Sequence, residues 1–117
     1  GINTFDIVTV TNAFAEEHPD LVEKFMEVTE AANVAYKADP DAAYPIVANA
    51  SGMDRDTTRS TMAKLGFPSA ADQKGSNWLG GGVQKMIKGV ADVMVSAGSM
   101  DTALDDYTVF IDPNFLK

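Results

Sequence analysis

Few residues in this chain are able to do chemistry, and one stands apart. Asp6 lies within Thr4 to Val10 (TFDIVTV), beside Phe5, Ile7, Val8 and Val10. A carboxylate set in an apolar run loses hydration unless a cation or several donors meet it. On the residues alone two readings stay open: a carboxylate presented to a positively charged ligand group, and a structural hydrogen-bond acceptor at a strand edge. His18 is the only histidine and cysteine is absent. That removes His-pair metal sites, thiolate ligands, disulfides and cysteine nucleophiles, and leaves no spaced catalytic set. The chain therefore reads as a non-enzyme with neither cofactor nor metal.

The remaining candidates have plainer explanations. Glu16/Glu17 and Asp105/Asp106 are sequence neighbours, and neighbours on a helix diverge by about 100°, so solvated surface is the default. Asp39 and Asp41 do not extend into a calcium loop with a closing glutamate. Gly80 to Gly82 before a helix is the kind of stretch that offers backbone amides to a phosphate. It has neither the GxxxxGK[ST] nor the GxGxxG form. A closely packed helix start covered by Trp78 is the favoured reading. Trp78, Tyr107 and Phe110 are able to stack on a small ligand, but aromatics of small domains more often fill a core.

The elements that must position these groups follow from patterning. The β-branched run around Asp6 reads as a strand with a buried face. After a short helical turn, His18 serves as a weak cap and Pro19 takes the first position of a long helix, with Asp20 and Glu23 in its first turns. Val22, Phe25, Met26, Thr29, Ala32 and Tyr36 share one face of it, which is a core stripe. Asp39 caps a second helix begun by Pro40, where Pro45 implies a kink or a start near Tyr44, and Gly52 closes it. Asp54 caps a third, running to about Leu65 with Gly66 left-handed behind it, its apolar edge thin (Met62, Leu65) and weakened by threonines. Phe67 to Asn77 is loop, with one turn at Ser69 boxed by Asp72. Val83, Met86, Ile87, Val90 and Met94 mark a helix from Gly82 to Ala97 ended by Gly98. Tyr107 to Ile111 reads as a short extended run, followed by a last turn at Asp112 and Pro113.

The 117 residues make one domain's worth of chain, with a net charge of −8. Lysines and arginines are scattered, which argues against nucleic acid or anionic lipid as a partner. No apolar run reaches the roughly 18–20 residues that span a bilayer. The start at Gly1, directly before a β-prone run, reads as a processed or truncated piece whose targeting segment lies upstream.

Taken together, Gly1, Thr4, Phe5 and Asp6, then Phe14, Ala15, His18 and Pro19, then Asp39 and Pro40 form a series. It resembles the region after the second interlobe crossover in periplasmic substrate-binding proteins of the taurine, sulfonate and nitrate group of ABC importers, above all the taurine-binding ones. The likeness continues more loosely through Trp78 to Gly81, the helix from Val83 to Ala97, and Tyr107 to Phe115. It departs at Phe5, where relatives also carry Tyr, at the step around Pro45, and at Gly80 to Gly82.

The resemblance implies that residues 1–117 are one C-terminal segment of a lobe in an α/β type II periplasmic-binding-protein fold. By itself such a piece is mainly α with one or two short strands, since a strand of a parallel sheet needs its neighbours. It implies a periplasmic binding component that delivers taurine or a similar aminosulfonate to an ABC permease, with the interlobe hinge just before Thr4. Asp6 would face the ligand amine, with Phe5 and Thr4 beside it, and the sulfonate donors would lie outside this chain. The alternatives are the same fold holding an alkylsulfonate, nitrate or pyrimidine precursor, and a small helical interaction module with no ligand site.

Overall fold

The computed structural model describes residues 4–117. Gly1 and the hinge expected just before Thr4 lie outside them. The chain is mainly helical, and among the described residues there is no strand. Six α-helices follow in order: α1 (Asn12–Glu17), α2 (Pro19–Ala38), α3 (Pro40–Ser51), α4 (Arg55–Met62), α5 (Ala70–Gln73) and α6 (Gly82–Ser96), then a 3-10 turn at Thr108–Phe110. Among the described residues no helix is long and apolar enough to cross a membrane.

Both expected strands are corrected. Residues 4–10 are in no ladder, and no backbone hydrogen bond reaches them among the described residues. Ile7 and Val8 stand 59% and 61% exposed, so the expected buried face is absent. β-Branched side chains favour extended backbone, but a strand exists only when another chain segment meets its N–H and C=O groups. At the other end, Tyr107 to Ile111 winds into the 3-10 turn. There Asp106 accepts from the Thr108 backbone N–H at 2.8 Å and from the Thr108 hydroxyl at 2.8 Å. That local acceptor competes with extended pairing.

The helix boundaries follow their caps closely. Pro19 opens α2 with His18 at the cap position, although the imidazole makes no capping bond and instead lies 5.0 Å from the Phe14 ring. Asp39 accepts from the Ala42 N–H at 3.1 Å, and Gly52 ends α3 with φ 72°. Pro45 does not delay α3, which is helical from Pro40. The proline ring leaves the Asp41 carbonyl without its usual i+4 donor. The Arg55 guanidinium reaches that carbonyl at 3.5 Å, while Arg59 bonds the Asp41 carboxylate at 2.8 Å. The vacancy made by Pro45 thus ties α3 to α4.

In α4 the Asp54 cap receives the Thr57 N–H at 2.8 Å and the Thr57 hydroxyl at 2.6 Å. The threonines do more than weaken this helix. Thr58 is fully buried, its hydroxyl bonded to the Asp54 carbonyl at 2.8 Å. The helix ends at Met62, Gly66 is not left-handed, and Leu65 lies exposed beyond the last turn. The bonds from Thr57, side chain first, hold the Asp54 carboxyl below its usual range. A carboxyl depressed in the folded state stabilises above its unfolded pKa and loses that effect as pH falls through the lowered folded value. Acidification through that window is therefore expected to fray α4 from its start, seen as faster hydrogen exchange at the Thr57 amide; Asp54→Asn should remove the pH dependence.

The core is small. Tyr44, Ala48, Met62, Ala70, Val83, Ala91 and Leu116 are its buried apolar members, and α2 contributes none that is fully buried. The contacts run α1 to α2, α2 to α3 and α3 to α4. Tyr36 of α2 meets Phe67 at 4.8 Å and Tyr44 at 6.2 Å, with Arg59 5.5 Å above the Tyr44 ring. At the opposite end, Lys117 pairs with Glu23, and Leu116 seats the tail near Met26 and Glu30 of α2. Phe25 of the expected α2 stripe stays exposed, as do Val90 and Met94 of the expected α6 face.

Candidate functional site

The three residues expected at the site stand in the unpaired segment before α1, and they have different surroundings. Thr4 is exposed. Phe5 is half-buried, its ring edge-on to Trp78 with centroids 5.2 Å apart and planes at 81°. This T-shaped arrangement is a favourable aromatic geometry. Asp6 is exposed, and among the described residues its carboxylate has neither a hydrogen-bond donor nor an ion-pair partner. The burial that would have made Asp6 costly is absent. Among the described residues no donor gives Asp6 the structural acceptor role weighed against ligand binding.

Trp78 was not expected to meet Phe5, since 73 positions separate them. It is one wall of a cleft of about 580 Å³ that also includes Lys37, Phe67, Asp72, Ser76 and Asn77. Four elements build this cleft: the last turn of α2 supplies Lys37, the loop after α4 supplies Phe67, α5 supplies Asp72, and the loop after α5 supplies Ser76 to Trp78. Asp72 belongs to a complete capping box with Ser69, accepting the hydroxyl at 2.7 Å and the backbone N–H at 3.3 Å. Those bonds, the hydroxyl first, hold its carboxyl below the usual range, and the positive charge of Lys37 acts in the same direction.

The glycines behind Trp78 form a tightly wound turn. Gly80 N–H donates to Gly75 at 3.0 Å, Gly81 to Trp78 at 3.1 Å, Gly82 to Ser76 at 2.9 Å and Val83 to Trp78 at 3.0 Å. These amides are spent on loop carbonyls, so they are not free to cradle an anion, and the packed helix start expected on sequence grounds is what forms. His18 lies at the α1–α2 junction against Phe14, away from the cleft. Tyr107 and Phe110 pair with each other at 6.2 Å and do not line it. Among the described residues no three metal-ligating side chains gather.

No family model, curated protein or solved structure matches this chain. The functional reading therefore rests on the motif series and on the surfaces described above.

What reasoning along the sequence missed is the Phe5–Trp78 contact and the place of Lys37. A lysine at the end of an amphipathic helix carries no local mark that sets it apart from any solvated charge. Only the return of the loop after α5 toward the end of α2 distinguishes it.

Proposed function

We propose that this chain is part of one lobe of a periplasmic solute-binding protein, the receptor that hands taurine or a similar small aminosulfonate to an ABC permease. The observation that carries the reading is the segment Phe5 to Val10: β-prone, unpaired among the described residues, and with Ile7, Val8 and Val10 exposed. Such a run is the piece of a sheet whose other strands are elsewhere, and a two-lobed α/β receptor would supply them.

The surface of the whole chain supports this. Its accessible area is 8449 Å², against about 6,200 Å² for a compact protein of this mass by surface scaling. The radius of gyration is 16.8 Å, where about 13 Å is usual for this length. Leu21, Phe25 and Val28 on α2 and Val90, Val93 and Met94 on α6 are all exposed. An excess of this size equals a large protein–protein interface rather than scattered surface residues. The 117-residue chain produced alone is therefore expected to associate, with light scattering giving a mass above 12.5 kDa. A cooperative monomer would favour a self-contained helical interaction module.

Asp6 supplies the chemistry. An aminosulfonate carries an ammonium that needs an anionic acceptor, and a carboxylate without an internal partner among the described residues is such an acceptor. Calorimetric titration of taurine into the full-length protein that carries this chain tests the reading. Saturable heat supports it; binding of nitrate or alkylsulfonate with no heat from taurine would keep the fold and change the ligand.

A further inference from the structure

We propose that the cleft beside Trp78 receives the anionic end of the ligand, with Lys37 as the cation that binds it. The inference rests on the solute-receptor reading, and it moves one ligand group expected from outside the chain onto a residue within it.

Three observations carry it. First, the cleft, at about 580 Å³ and open to solvent, is of the roughly 300–1,000 Å³ size of small-molecule sites, and its more polar than apolar wall suits the charged end of a ligand. Trp78 and Phe67 give the apolar walls, Ser76 and Asn77 the neutral hydrogen-bonding groups, and Lys37 the charge. Second, Lys37 is in no ion pair among the described residues; the one carboxylate lining the same cleft, Asp72, turns its oxygens to the Ser69 hydroxyl and backbone N–H, and it keeps a negative charge that Lys37 offsets. Third, the cleft is coupled to Asp6 through the chain. Phe5 is anchored on Trp78, and adjacent Cα atoms are about 3.8 Å apart, so the Asp6 backbone is held one residue from the cleft wall. A ligand with an ammonium at one end and an acid group at the other would have Asp6, next in sequence to Phe5, for the first and Lys37, on the wall that Trp78 shares, for the second.

The position of Lys37 also suits the task. It stands in the last turn of α2, where the helix dipole favours a cation. Its stem can lie along the cleft wall while the ammonium reaches outward. A sulfonate is a weakly basic, delocalised anion, and a lysine with hydroxyl and amide neighbours satisfies its oxygens without needing a proton transfer.

The test uses the full-length protein and three variants, Lys37→Met, Lys37→Arg and Asp6→Asn, each titrated calorimetrically with taurine and with ethanesulfonate, which lacks the amine. Lys37 is exposed, so its replacement does not disturb packing, and equal thermal melts of the variants check this. Lys37→Met is expected to weaken both ligands at least about tenfold, the range of one charge-assisted hydrogen bond. Lys37→Arg should stay within a few-fold of the parent, and Asp6→Asn should weaken taurine alone. Unchanged affinities in Lys37→Met, with taurine still bound by the parent, would overturn the role of Lys37 and leave the receptor reading standing. Equal losses in the Arg and Met variants would overturn charge as the cause. Absence of binding of either ligand to the parent would remove both.

Discussion

Gly82→Ala is expected to disrupt the Trp78 turn and to cost roughly 3 kcal/mol or more of stability, beyond the usual range for overpacking because the obstacle is backbone. A Cβ at Gly82 would overlap the carbonyl of Asn77, standing only 2.5 Å from its carbonyl carbon. The peptide cannot rotate away, because the Gly82 N–H is bonded to Ser76 and the next amide to Trp78. Gly81 adds a second constraint with φ 153°, a backbone region that other residues rarely adopt. Gly89 provides the control. It lies inside α6, and no neighbouring atom comes within 4 Å of the place a methyl group would take, so Gly89→Ala should stabilise by about 0.5–1 kcal/mol through helix propensity alone. Urea denaturation followed by circular dichroism separates the two. Near-equal stabilities for Gly82→Ala and the parent would show that the turn relaxes freely, contrary to the close approach of Gly82 to Asn77. Because Trp78 carries this turn, Gly82→Ala should also loosen the contact with Phe5 and alter the tryptophan emission.

Asp6→Asn in the full-length protein is expected to weaken taurine binding by roughly 10- to 100-fold, the loss of one charge-assisted hydrogen bond to an ammonium. The substitution preserves shape and removes only the charge. Asp6 is exposed and without an internal partner among the described residues, so the melting temperature of the ligand-free protein should hardly move. That combination separates the ligand role from a structural one, in which stability would fall and affinity would follow it. A taurine affinity unchanged by Asp6→Asn would return Asp6 to the solvated surface and leave the amine to another acceptor. Neither result depends on Lys37, whose effect is read with the amine-free ligand.

How much of this was legible along the chain varies with the range of the interactions involved. Asp39, Asp54 and Ser69 with Asp72 each mark a helix start through bonds that span three residues, and each forms as its spacing implies. Pro45 was legible as a defect and not in its consequence. The idle Asp41 carbonyl is served by Arg55, fourteen residues away, and nothing near Pro45 announces that. The stripes on α2 and α6 were legible as apolar, yet Phe25, Val90 and Met94 remain exposed because periodicity states which face seeks cover and not what covers it. Thr58 shows the reverse, a poor helix former that becomes the most buried side chain once its hydroxyl finds the Asp54 carbonyl.

By itself, then, the sequence determined most of the helices, the caps at Asp39, Asp54 and Ser69 and the stops at Gly52 and Gly98, since these depend on backbone geometry and on hydrogen bonds within a turn. It also singled out Asp6, through the contrast between one carboxylate and its apolar neighbours. Only the tertiary structure decided that Phe5 rests on Trp78, that Lys37 borders the same cleft, and that residues 4–10 find no strand partner among the described residues. The physical reason is common to all three. A cap is satisfied within a few residues of itself, whereas an aromatic contact, a shared cleft and a β-ladder each need a second segment, and where that segment lies is set by how the whole chain closes.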